Sequence, residues 1–191
     1  MYNSCRNRHS PTCQSLEQHR WLERRRETIL PVPYFHVVFT LPAELRPITM
    51  LHREQVFGML FKAASTTLAT LAKDPKRLGA VPAITMVLHT WTRDLTFHPH
   101  VHAIVSAGGL TSQGAWRNSR KQYLFPVKVM ARLFRRLFRE LLLAAIEAGE
   151  VIVPDDISAP MRRALFETKW VVYAKAPFGG AEQVYSYLGR Y

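Results

Sequence analysis

The stretch Ile84-Thr-Met-Val-Leu-His-Thr-Trp-Thr-Arg-Asp-Leu-Thr-Phe-His-Pro-His-Val-His-Ala-Ile-Val-Ser106 decides how the rest of the chain reads. Residues 84–92 and 100–106 are rich in β-branched and aromatic side chains, which predicts two strands. Residues 93–97 predict the turn between them, and the pair an antiparallel hairpin. If the turn centres between Asp94 and Leu95, His89 stands opposite His100; a slip of one residue undoes that pairing. Side chains alternate along a strand, so His100 and His102 share one face while Val101 and Ala103 take the other. Two imidazoles at this spacing suit one divalent ion, with His89 as a third ligand or as a group that orients one. Pro99, just before the pair, limits ladder bonding at the strand's start. The His-x-His pattern alone also fits a hydrogen-bonded structural pair, so the spacing leaves both readings open.

Outward from the hairpin the chain alternates strands and helices. Residues 34–41, Tyr-Phe-His-Val-Val-Phe-Thr-Leu, predict a strand ended by Pro42. Residues 53–73 carry Val56, Leu60, Ala63, Ala64, Thr67, Leu68 and Leu71 at helical spacing. Gly108-Gly109 ends the second hairpin strand, and 122–125 predict a short strand. Pro126 suits a helix start, and 127–148 continue as a helix with Leu133, Leu137 and Leu141 along one face. Lys128, Arg132, Arg135 and Arg139 recur along another face. That stripe fits a DNA backbone or a solvated surface equally well. Residues 170–174 predict a strand, and 181–191 a last helix. Near the start, 14–28 predict a short charged helix, followed by Pro31 and Pro33. The fold class expected is α+β, an antiparallel sheet with packed helices. The division expected is a small segment at 1–30 and a main domain at 31–191.

Charge points to a polyanion. Lys and Arg number 26 against 14 Asp and Glu, a formal +12 with an isoelectric point near 10.2. Such an excess favours phosphate-rich partners, because cations that neutralise phosphates release condensed counterions. Trp91, Trp116 and Tyr123 suit base stacking or core edges. No run of about eighteen apolar residues predicts a membrane span, and the opening residues lack a secretory pattern. The expected location is the cytoplasm, at the nucleoid when DNA is bound. The two cysteines, Cys5 and Cys13, flank His9. That arrangement reads as metal ligation, with a single disulfide as the other reading.

Residues 180–191, Gly-Ala-Glu-Gln-Val-Tyr-Ser-Tyr-Leu-Gly-Arg-Tyr, hold three tyrosines. A helix sets Gln183, Tyr187 and Tyr191 on one stripe, four residues apart, and points Tyr185 elsewhere. A phenol of pKa about 10 is a weak nucleophile. A metal that polarises a phosphate makes its attack feasible, and nearby positive charge helps form the phenolate. Tyrosines at this spacing also commonly pack a core edge with wet hydroxyls.

In combination and in order, His98-Pro-His-Val-His-Ala-Ile-Val105, Trp170-Val-Val-Tyr-Ala174 and Tyr185-Ser-Tyr-Leu-Gly-Arg-Tyr191 resemble the two-tyrosine rolling-circle insertion-sequence transposases. These belong to the HUH (His-hydrophobic-His) endonucleases. Cys5-Arg-Asn-Arg-His-Ser-Pro-Thr-Cys13 resembles the end of that family's zinc-binding segment. The resemblance implies a sheet carrying His100 and His102 as ligands of Mg²⁺ or Mn²⁺. It implies Tyr187 and Tyr191 as nucleophiles and Gln183 as the third metal ligand. It further implies single-stranded DNA at transposon ends as the partner, and nicking and rejoining through a 5′-phosphotyrosine as the activity. Cys5, His9 and Cys13 would hold Zn²⁺. Two departures stand out. The family usually has further cysteines before Cys5 and one where Ser10 stands, and three ligands do not close a four-ligand site. The sequence also stops at Tyr191, where the family continues, so a fragment truncated at both ends is expected. A terminal Tyr191 sits beside a carboxylate at a fraying end, which leaves Tyr187 as the preferred nucleophile. Two other function classes remain at this point: an inactive remnant that only binds DNA, and a metal-dependent hydrolase that would release free products.

Overall fold

Strands of mixed burial need helices to cover them, and the computed structural model shows where those helices fall. It describes residues 11–92, 94–120 and 124–175. Helix α1 (Pro11–Arg26) leads to strand β1 (Tyr34–Thr40). A 3-10 turn (Ala43–Leu45), the short helix α2 (Arg46–Leu51) and the long helix α3 (Arg53–Lys73) follow. Then come β2 (Ile84–Trp91), β3 (Phe97–Ser106) and a small hairpin of β4 (Gly108–Leu110) and β5 (Trp116–Asn118). Helices α4 (Val127–Glu147) and α5 (Asp155–Phe166) precede the last described strand, β6 (Val172–Lys175).

The sheet runs β2-β3-β1-β6, with every neighbour antiparallel. The fold is thus α+β with an antiparallel sheet and packed helices, as expected. β1, first of the four in sequence, is inserted between β3 and β6. In this register Tyr34 faces Ser106, Thr40 faces His100, and His36 faces Lys175 on the other side. One sheet face carries Val37, Phe39, Val101, Ala103 and Val105, all buried in the main core beneath α3 and α4. Phe39 meets Phe134 edge-on at 5.0 Å between ring centroids, and Trp170 lies 5.1 Å from Phe134 and 5.3 Å from Phe138. The other face carries Tyr34 and Ile104 in a smaller apolar cluster, packed by Trp21 and Leu22 of α1 with Ile29, Val32 and Val87.

Several local expectations shift. Among the described residues helix α1 already covers Pro11, ahead of the expected start at residue 14, and it ends at Arg26 rather than at residue 28. In α3 every residue of the expected stripe is buried. In α4 the helix is rotated from expectation. Met130, Phe134, Phe138, Leu142 and Ala145 are buried, while Leu133, Leu137 and Leu141 pack half-exposed at the margin. Two phenylalanines offer more apolar area than two leucines, so the helix turns them inward. Leu124 and Phe125 are buried but form no strand; Gln122 and Tyr123 lie outside the described residues. The strand expected at 170–174 is Val172–Lys175, and Trp170 instead donates its indole N–H to the Ala164 carbonyl at 2.8 Å. Helix α5, with Pro160 inside it, was not among the expected elements.

Candidate metal centre

The hairpin expected from the sequence forms with the expected register: His89 pairs with His100 across the β2–β3 ladder. Its turn is closed by a bond between the Thr92 and Thr96 backbones and by the Thr92 hydroxyl, which donates to the Thr96 carbonyl and accepts from the Thr96 N–H. Leu95 there takes a left-handed φ of 59°. Period-two alternation puts His98, His100 and His102 on one face of β3. Because α1 and the segment after it cover the Tyr34–Ile104 end of that face, the histidines occupy its other half.

His89, His100 and His102 each offer a ring nitrogen, and these nitrogens lie within 4.8 Å of one another. The ring centroids are 4.2 Å apart for His89–His102, 4.9 Å for His100–His102 and 5.4 Å for His89–His100. His89 and His102 are buried, and His100 is half-buried. The Nδ1–H of His100 donates to the His98 carbonyl at 2.6 Å. This leaves the Nε2 lone pair of His100 for a ligand. Arg46 donates from Nη2 to Nδ1 of His98 at 3.3 Å, which fixes that ring's proton on Nε2. His98 therefore belongs to the rim of the cluster.

Burial keeps these rings neutral. Desolvation lowers His89 from 6.5 to about 4, with His100 and His36 adding repulsion. His102 falls further, to about 2, through desolvation and then the neighbouring His89, His36 and His100. Desolvation also lowers His100, opposed by its bond to the His98 carbonyl, and lowers His98, helped by His100 and Arg46. A neutral imidazole is the form that ligates a metal, so the protonation states and the donor set fit a divalent ion.

His36, on β1, was not singled out by the sequence. It is buried, its Nε2 lies 2.6 Å from Nδ1 of His102, and the two rings lie edge to edge with centroids 4.9 Å apart and 13° between planes. Burial lowers its pKa, and Lys175 across the ladder lowers it further. The alternation Tyr34, His36, Val38 placed His36 on one strand face, but only the pairing of β1 with β3 shows that this is the His102 face.

Gln183, Tyr187, Tyr191, Cys5 and His9 lie outside the described residues, and Cys13 falls within α1. The basic stripe of α4 is divided. Lys128 and Arg132 are exposed. Arg135 donates to the Thr168 carbonyl at 3.1 Å, and the Arg139 guanidinium sits 4.9 Å from the Phe166 ring centroid. Those two cations fasten α4 to the end of α5. Trp91 is exposed and meets Phe97 edge-on at the turn end of the hairpin. Trp116, in the separate β4–β5 hairpin, donates to Asn118 Oδ1 at 2.8 Å. Among the described residues, no helix is long and apolar enough to cross a membrane.

Comparison with known proteins places this geometry in a family. The family described as "Transposase zinc-binding domain" (Zn_Tnp_IS91) matches residues 1–41. A relative in Sinorhizobium fredii, "Putative transposase y4qJ", is 45% identical over the whole of this chain and 50% of its own length. The "Transposase for insertion sequence element IS801" of Pseudomonas savastanoi pv. phaseolicola is 31% identical over 99% of this chain and 46% of its own length. The chain thus spans about half the length of these curated relatives. Among solved structures, a metal-bound conjugative relaxase TrwC in complex with oriT DNA is similar, with a TM-score of 0.44 and 9% identity over 81% of this chain and 70% of that one. The family described as "Putative transposase" (Y2_Tnp) matches residues 83–191, more than half of the chain and all of the histidine hairpin, and the chain belongs to that transposase family.

Proposed function

We propose that this chain nicks and rejoins single-stranded DNA during transposition, with His89, His100 and His102 holding a divalent ion beside the reacting phosphate. The observation that carries this reading is the clustering of three neutral imidazoles on one rigid sheet face. The family and the IS801 relative supply the reaction class. A bound ion would supply Lewis acidity, drawing electron density from the phosphate. Three imidazoles without a carboxylate favour first-row transition ions over Mg²⁺, which prefers oxygen, so Mn²⁺ is preferred of the two ions the resemblance implies.

The nucleophile proposed is Tyr187, with Tyr191 as a second. The phenolic oxygen attacks phosphorus, the P–O3′ bond breaks, and the leaving 3′ oxygen takes up a proton. The products are a 5′-phosphotyrosyl ester and a free 3′ hydroxyl. The ester retains the energy of the broken bond, so a 3′ hydroxyl reverses the step and joins a strand. Lys128 and Arg132 on α4 would follow the DNA backbone, and Trp91, exposed beside the cluster, would stack a base. The ends of the transposon are the proposed substrate, and the cytoplasm, where that DNA lies, the proposed location. Cys5, His9 and Cys13 are the proposed zinc ligands of the N-terminal segment, consistent with the match over residues 1–41.

The test is incubation with single-stranded DNA of the element's terminal sequence and Mn²⁺, read as a covalent protein–DNA adduct on a denaturing gel. The adduct is expected with the wild-type chain and absent in Tyr187→Phe. An adduct that persists when Tyr187 and Tyr191 are both phenylalanine would overturn the assignment of nucleophiles. Nicked DNA with no adduct would mark a hydrolase instead.

A further inference from the structure

Each imidazole that binds a metal through one nitrogen must keep its proton on the other, and something must hold that proton in place. For His100 the holder is visible within its own strand: the His98 carbonyl accepts from Nδ1 at 2.6 Å. For His102 the atom at the same distance from Nδ1 is a ring nitrogen, Nε2 of His36. We propose that His36 is the positioning residue of His102. It accepts the Nδ1–H of His102 and so aims the Nε2 lone pair of His102 at the metal.

The chemistry allows a single arrangement once His102 ligates through Nε2. A neutral imidazole carries one N–H. If Nε2 of His102 binds the ion, its proton is on Nδ1, and Nδ1 donates. Nε2 of His36 then accepts, so His36 carries its own proton on Nδ1. The two ring planes are only 13° apart, so the bond runs nearly in the plane of both rings, the favoured direction for a ring N–H and a ring lone pair, and it limits rotation of the His102 ring about its side chain. β1 and β3 are paired from Tyr34↔Ser106 to Thr40↔His100, so both partners stand on one continuous ladder. His36 faces Ile104 and His102 faces Val38, which makes the contact diagonal. Diagonal neighbours in a sheet are within reach of ring side chains. His36 is therefore held by the strand and does not itself need to touch the ion.

This inference rests on the metal centre proposed above, and the two fail in different ways. The experiment compares the wild-type chain with His36→Phe, which keeps an aromatic ring but has no acceptor, and His36→Gln, which restores an acceptor oxygen. The probe is Co²⁺, followed by its visible absorption and by calorimetry, with thermal melting of each metal-free variant as the check on folding. His36→Phe is expected to bind Co²⁺ about 10–100-fold more weakly, the usual effect of losing a partner behind a ligand, and with an altered spectrum. His36→Gln is expected to recover part of the affinity. Equal affinity and an unchanged spectrum in His36→Phe would overturn the role of His36. No Co²⁺ binding by the wild-type chain would overturn the metal centre itself. Should His36→Phe fail to fold, ¹⁵N-edited spectra of the wild-type imidazoles with Zn²⁺ bound decide the matter. A proton on Nδ1 of His102 and on Nδ1 of His36 is expected, and a proton on Nε2 of His36 would overturn the proposal.

Discussion

His89 of β2 stands directly across the ladder from His100 of β3, their ring centroids 5.4 Å apart. This pairing brings a ring nitrogen of His89 within 4.8 Å of those of the His100–His102 pair, which makes His89 a candidate third ligand. His89→Ala is therefore expected to weaken Mn²⁺ or Co²⁺ binding by more than the roughly 10–100-fold typical of an outer partner, while Gln183→Ala leaves it close to wild type. Calorimetric titration checks both. The reverse outcome would return the third-ligand role to Gln183. The same titration with Mg²⁺ is expected to show much weaker binding than with Mn²⁺.

Arg135 and Arg132 lie on one stripe of α4 but have different partners. Arg135→Ala removes a charged donor from the Thr168 carbonyl and is expected to lower stability by about 1.5–3 kcal/mol, measured by urea unfolding. Arg132→Ala, at an exposed position, is expected to leave stability unchanged. A Lys128→Ala/Arg132→Ala double variant is expected to weaken single-stranded DNA binding and flatten its salt dependence, each lost phosphate contact lowering the slope by about 0.7. Fluorescence anisotropy across a salt series reads this. An unchanged slope would assign that half of the stripe to a merely solvated face.

Leu95, at the tip of the histidine hairpin, combines a left-handed φ of 59° with 79% exposure. Its side chain gains little from burial, and its backbone is strained by roughly 1–2 kcal/mol. Leu95→Asn, which tolerates that conformation, is expected to raise the melting temperature with no loss of metal affinity. A lower melting temperature would show that the leucine contributes a contact that outweighs the strain.

The histidine cluster sets a direction for acid sensitivity. His89 and His102 are depressed from 6.5 to about 4 and about 2, and His36, His98 and His100 are also lowered. Below the unfolded value of 6.5 the unfolded chain binds more protons than the folded one, so stability rises with pH up to that point. The metal-free chain is thus expected to be most stable above pH 6.5 and to lose stability as pH falls from there toward 4. Thermal melts across pH 4–8 measure it. A His89→Phe/His102→Phe chain that folds should show a shallower loss over the same window. An equally steep loss would place the acid-sensitive groups elsewhere.

The sequence by itself determined what depends on local backbone geometry. The two-residue period of a strand put His100 and His102 on one face, the turn at 93–97 set His89 opposite His100, and the buried stripe of α3 followed from helical spacing. These relations involve residues close in the chain, where the backbone repeat is the dominant constraint. Tertiary structure alone decided which strand would lie beside β3. β1 takes that place and carries His36 across a gap of 66 residues to Nδ1 of His102. No period in the sequence encodes that neighbour, because it is chosen by how α3 and α4 together cover the other face of the sheet. The rotation of α4 has the same origin. Leucines and phenylalanines both recur at helical spacing along it, and the choice between them was made by the space around Phe39 and Trp170. That rotation also turned Arg135 and Arg139 toward Thr168 and Phe166, while Lys128 and Arg132 stayed exposed.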